Sequence, residues 1–181
     1  MSELHPLLAT RWSPRAFDPV AELSDHDIAS LLEAARWAPS AANSQPWRFL
    51  VARRDTEAHK RIFANLASAS QRWAGRGSAL IVAAHPVEAG LPHAAYDLGQ
   101  AVAHLSVQAT ALRLHVHQIT TFDRASLRAD LELPEDLHPK VVLVVGRLGD
   151  PGSLPSDLKS LELALRRRRS RADLVISAVV T

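Results

Sequence analysis

A chain of 181 residues is long enough for one domain with a sizeable core, and 47% hydrophobic with 22% charged residues excludes an intrinsically disordered protein. The absence of cysteine excludes a disulfide framework, a thiolate nucleophile and any Cys-ligated zinc or iron–sulfur centre. Net charge is +2, but Arg166, Arg167, Arg168, Arg169 and Arg171 crowd into one run; without them the balance turns acidic, which argues against a broad nucleic-acid face.

The opening MSELHPLLATRW lacks a basic start followed by an apolar run, so no signal peptide is expected. No window approaches the roughly 18 consecutive apolar residues of a membrane span, and a cytoplasmic location is expected. Ser24 is placed to cap a helix, with Asp25 and Asp27 in its first turn and Ile28, Leu31, Leu32 and Ala35 at helical spacing. Pro39 ends that helix, because proline cannot continue the hydrogen-bond ladder. Ser40 to Gln45 then form a polar loop, Trp47 to Val51 a strand, and Thr56 to Leu66 a second helix.

The run ALIVAA, Ala79 to Ala84, reads as a buried strand. A long helix is expected from about His93 to Leu114, with Leu98, Ala101, Val102, Leu105, Ala109 and Leu112 on one stripe. Ala94, Ala95, Gly99 and Ala103 leave a second side small enough for another helix to approach, which points to a subunit interface. His115 to Thr120 is a strand, Asp123 to Leu131 a short helix, and Lys140 to Gly146 another buried strand. Strands and helices do not alternate regularly, so the fold class is α+β. The terminal LVISAVVT is β-prone and needs a sheet to join, which a partner could supply. His115 and His117 face the same way on their strand and could begin a zinc site, but no third ligand is suggested; packing or pocket lining is the expected role.

Three segments could carry chemistry. Arg11-Trp12-Ser13-Pro14-Arg15 sets two guanidiniums and a hydroxyl around a rigid proline, which suits phosphate or another anion. Pro39-Ser40-Ala41-Ala42-Asn43 offers small side chains that let a planar ligand approach, plus an amide with both a donor and an acceptor. The Arg166–Arg171 run repels itself unless an anion or carboxylates neutralise it. Each segment read singly is also what a solvated turn, a plain helix-to-strand loop or a surface charge run looks like.

Their order and spacing resemble the nitroreductase family. The resemblance rests on R-x-S-x-R at Arg11, Ser13 and Arg15, then P-S-x-x-N-x-Q-P-W from Pro39 to Trp47. It continues through ITTFD from Ile119, ELPED from Glu132, a strand ending at Gly146 and the pair Arg169 and Arg171. It implies one FMN-binding domain over residues 1–181, a central mostly antiparallel sheet flanked by helices, and a C-terminal strand exchanged within a homodimer that holds FMN at its interface. It also implies that NADH or NADPH donates hydride and that a small electrophile, such as a nitroaromatic or quinone, is reduced by ping-pong chemistry carried by flavin N5, with no side-chain acid or base and no metal. By the same resemblance Arg11, Trp12, Ser13 and Arg15 bind the phosphate, ribityl chain and pyrimidine edge. Pro39, Ser40, Ala41 and Asn43 cover the flavin from the neighbouring subunit, the Thr120–Thr121 backbone approaches N5, and Arg169 and Arg171 return to the phosphate.

Two departures from the family matter. Relatives often place an Asn at the flavin edge where this chain has Ser70-Gln71, with Gln71 a longer amide. Larger members insert a helical segment where only His85 to Pro92 stands here, so the pocket is more open or is covered by Asp150 to Leu165. Alternative flavin reactions on the same fold are dehalogenation and reduction of an activated alkene or aldehyde. A module using the Arg-rich tail on nucleic acid is the alternative outside enzymes, and the lack of interleaved aromatics weighs against it.

Overall fold

Residues 3–87 and 90–176 are described by the structure, a computed structural model. The elements run α1 (Pro6–Thr10), α2 (Asp25–Arg36), β1 (Arg48–Arg53), α3 (Glu57–Ala64), α4 (Ser68–Ala74), β2 (Ala79–Pro86), α5 (Ala94–Ala111), β3 (His115–Ile119), α6 (Arg124–Asp130), β4 (Leu137–Gly146) and α7 (Ser156–Leu163). The four strands form one antiparallel sheet in the order β1-β2-β4-β3.

The sheet is apolar on both faces because successive side chains point to opposite sides. Ala79, Ile81, Ala83, Leu143 and Val145 pack with α2 and α5, whereas Leu80, Val82, Val142 and Val144 pack with residues of α3, α4, α6 and α7. This explains why β2 reads as an unbroken apolar run. The expected Ser24 cap is present as a reciprocal box: Ser24 Oγ accepts from Asp27 N at 3.0 Å and Asp27 Oδ2 accepts from Ser24 N at 2.9 Å. Helix α5 buries Leu98, Ala101, Val102, Leu105 and Ala109, while its Ala95, Gly99 and Ala103 side is exposed in the single chain.

β4 starts three residues before Lys140. Pro139 is tolerated inside it because the β2–β4 register shifts between Ala83 and Ala84, so that Ala84 faces Pro139. β1 runs two residues past Val51 to Arg53. Helices α1, α4 and α7 are not foreseen by the sequence reading; α4 and α7 lack side-chain caps, and all three are short. Leu174 closes a single 3-10 turn over Ala172–Leu174 instead of opening a strand, and the rest of the expected terminal strand, from residue 177, lies outside the described residues. Among the described residues no helix is long and apolar enough to cross a membrane.

The N-terminal loop that follows α1 is pinned to the end of β4. Phe17 bridges to Leu148, Gly149 N donates to Ala16 O at 2.8 Å, and Asp18 N donates to Arg147 O at 3.0 Å. A Cβ at Gly149 would stand 2.5 Å from the Phe17 carbonyl carbon and oxygen. Backbone cannot give way as a side chain can, so Gly149→Ala is expected to destabilise the protein by about 1–3 kcal/mol; urea unfolding measures it, and parental stability would mean the loop is not held there.

Candidate functional site

Two adjoining clefts lie between the N-terminal loop, the β3 end, α4 and α7. The first, of about 310 Å³, is lined by Arg15, Ser70, Trp73, His117, Thr120 and Thr121, with Leu158 and Leu161 of α7 among its other walls. The second, of about 250 Å³, is lined by Arg11, Trp12, Ser13, Arg166, Arg168 and Glu162, and shares Arg15 and Leu161 with the first. Residues from the two ends of the sequence therefore meet in one place. From the Asp150–Leu165 segment, expected as one possible cover for the pocket, Leu158 and Leu161 stand in the wall of the first cleft.

The loop carrying Arg11 to Arg15 is held by hydrogen bonds to its backbone, and Arg11 and Arg15 line the clefts half-buried. Glu162 is buried, and its carboxylate accepts from Arg15 N at 3.0 and 2.9 Å and from Ala16 N at 3.0 Å. Pro14 O lies 2.8 Å from His117 Nδ1. The His117 ring packs on Trp73 with centroids 4.3 Å apart, and Trp73 stacks on Phe17 at 6.3 Å. On the outside, Arg72 of α4 and Asp157 of α7 form a two-pronged ion pair at 2.7 and 2.8 Å.

Charge is unbalanced around Arg11. Burial first, then Arg168 and Arg166, push its guanidinium below the usual arginine value. Arg166 is engaged structurally, donating to Arg11 O at 2.9 Å and Ala9 O at 2.7 Å. Glu162 is the acidic residue lining this cleft, and its carboxylate is engaged by backbone N–H groups. Several guanidiniums converging without a matching number of carboxylates are what a bound phosphate requires.

Of the expected site residues, Arg11, Trp12, Ser13 and Arg15 come together in the second cleft, and Ser70, Thr120 and Thr121 join Arg15 in the first. The carbonyl of Thr121 accepts from Ala67 N at 3.3 Å and that of Thr120 from Arg124 Nη2 at 3.4 Å, which fixes the turn after β3. Gln71 is not brought in: its amide donates to Phe63 O and Ala64 O, both at 3.1 Å, and so caps α3. Arg169 and Arg171 are exposed and do not line either cleft, where Arg166 and Arg168 stand instead.

Pro39, Ser40, Ala41 and Asn43 likewise line neither cleft of their own chain. Their loop is tied to α5 through Ala41 N, which donates to the buried Asp97 carboxylate at 3.1 Å. Ala42, Asn43 and Gln45 have φ of 50°, 55° and 46°, and the segment from Ala41 to Gln45 is exposed. Left-handed backbone at a non-glycine residue costs about 1 kcal/mol or more. Sequence reasoning missed Glu162, Trp73 and Arg168 as site residues. Only the density of arginine in the tail hinted at the last.

The nitroreductase family model matches residues 8–72. A protein of Archaeoglobus fulgidus, provisionally named NADH dehydrogenase/NAD(P)H nitroreductase, is 31% identical over 157 residues, covering 83% of this chain and 87% of the relative. YdgI of Bacillus subtilis (strain 168), provisionally named NAD(P)H nitroreductase, is 32% identical over 143 residues, covering 78% of this chain; the match spans 63% of that relative's length. Among solved structures, an oxidoreductase described as containing FMN superposes with a TM-score of 0.90 at 30% identity, over 99% of this chain and 94% of that one.

Proposed function

The chain belongs to the nitroreductase family, and from that premise we propose that it is an FMN-dependent oxidoreductase that takes hydride from NADH or NADPH. The second substrate in this reading is a small electrophile such as a nitroaromatic or quinone. The observation that carries it is the convergence of Arg11, Ser13 and Arg15 with Arg166 and Arg168 on one cleft. It adjoins, through Arg15 and Leu161, the cleft lined by the β3 end. The guanidinium-lined cleft is assigned to a phosphate and the β3-end cleft to a flat ring system.

In this reading Arg11, Ser13 and Arg168 hold the phosphate, while Arg166 sets the tail against the N-terminal loop. Arg169 and Arg171 remain assigned to the same phosphate through the family pattern. When bound, FMN supplies the redox chemistry, accepting hydride at N5 from the nicotinamide and passing electrons to the acceptor. Arg15 places a fixed cation beside the pyrimidine edge, where charge develops on reduction. Trp12, Ser70 and the Thr120–Thr121 backbone line the approach. A second copy of the chain completes the site with Pro39, Ser40, Ala41 and Asn43. The exposed small-residue side of α5 and the exposed left-handed loop support that assembly.

The purified protein is expected to be yellow with stoichiometric FMN, to sediment as a dimer, and to bleach anaerobically on adding NADH or NADPH. FAD should bind less well, because a phosphate enclosed by arginines leaves no room for an adenylate. Colourless protein that also fails to take up added FMN would overturn the reading.

A further inference from the structure

Oxidised flavin presents an alternating edge on its pyrimidine ring: a carbonyl, a single imide N–H and a second carbonyl. A site that reads this edge needs an acceptor between donors. Arg15 offers donors only. The Gln71 amide is turned toward the carbonyls of Phe63 and Ala64. His117 lines the same cleft as Arg15 and packs on Trp73.

The partner of Nδ1 decides the tautomer of His117. A carbonyl can only accept, so the 2.8 Å contact with Pro14 O places the ring proton on Nδ1. A neutral imidazole then carries its lone pair on Nε2. Burial is the largest influence on this ring and pushes its pKa below the usual histidine value. The facing groups are Arg15, which lowers it, and Glu162 with the Pro14 and Ser13 carbonyls, which raise it. Neutral His117 is therefore the form present at neutral pH, with Nε2 as its acceptor.

We propose that His117 recognises the imide N–H of the flavin through Nε2, beside Arg15 on the neighbouring carbonyl. The inference rests on the FMN reading above. It assigns this chain a histidine acceptor beside Arg15, where the Gln71 amide is turned away, and it makes the site sensitive to substitution at that one ring nitrogen.

The test is fluorescence titration of apoprotein with FMN and with FMN methylated at the imide nitrogen, which lacks the N–H. The wild-type chain is expected to bind FMN about tenfold more tightly than the methylated flavin, the effect of leaving one buried acceptor unpaired. His117→Phe keeps an aromatic ring on Trp73 without an acceptor, so it should weaken FMN and lose the preference. His117→Gln returns an acceptor and should restore part of it. Equal binding of both flavins by the wild-type chain, or an undiminished preference in His117→Phe, overturns the proposal. The wild-type comparison decides alone if His117→Phe does not fold. A wild-type chain that binds neither flavin removes the FMN reading itself, a result distinct from binding without discrimination.

Discussion

The double substitution Arg11→Ala with Arg168→Ala is expected to lower FMN affinity at least a hundredfold without lowering the melting temperature of the apoprotein. The two effects separate because these guanidiniums crowd each other in the ligand-free cleft, where burial and like charge already disfavour Arg11. A phosphate reverses that sign. Each charge-assisted hydrogen bond to it contributes about 1.5–3 kcal/mol, so losing two corresponds to a hundredfold or more in affinity. Affinity of the parent should fall with added salt, since the partly exposed arginines are screened. Flavin titration and thermal melts of the apoprotein provide the two readouts; a large fall in the apoprotein melt would make the arginines structural. Arg169→Ala measured alongside sets the register of the tail. If it costs more affinity than Arg168→Ala, the family pattern and not the cleft geometry identifies the phosphate ligand.

Removing Glu162 should act in the opposite way, on the fold first. Its carboxylate satisfies the backbone N–H groups of Arg15 and Ala16 from a buried position. Glu162→Ala leaves those buried donors unpaired and is expected to cost about 3 kcal/mol. For a chain of this length that lowers the melting temperature by roughly 6–12 °C. FMN affinity should fall as well, because the freed loop no longer presents Arg15 in place. Glu162→Gln retains an oxygen acceptor and should lose less on both measures. A Glu162→Ala protein that melts like the parent would show that the loop is held by Pro14, Phe17 and Gly149 alone.

Much of the scaffold is legible in the sequence where the determinants are local. The Ser24–Asp27 cap, the apolar runs of β2 and β4 and the stripe on α5 each lie within one element and each is present, although β4 starts already at Leu137 and α5 ends at Ala111, short of the expected Leu112 and Leu114. The short helices escape because α4 and α7 carry no side-chain cap and owe their place to packing: Trp73 of α4 and Leu158 of α7 are buried against the sheet. The site divides in the same way. R-x-S-x-R is visible because three of its members are neighbours in the chain, and the structure brings them into one cleft. Glu162 is invisible because nothing near it in sequence marks it as the partner of Arg15. Gln71 reads as an available amide, yet two nearby carbonyls capture it. His117 reads as either packing or pocket lining, and in the structure it does both.

The Glu162–Arg15 contact joins groups 147 positions apart, and this bears on how the protein is made. Synthesis proceeds from the N-terminus, so all four strands can emerge and pair while α7 and the arginine tail are still to come. During that interval the Arg11–Arg15 loop has neither its carboxylate anchor nor its companion guanidiniums. In the proposed site the arginines of the two chain ends meet only when the last fifth of the polypeptide docks, so cofactor capture is expected to be a late event. A nascent chain halted after β4 would carry the four strands of the described sheet without the Glu162 anchor.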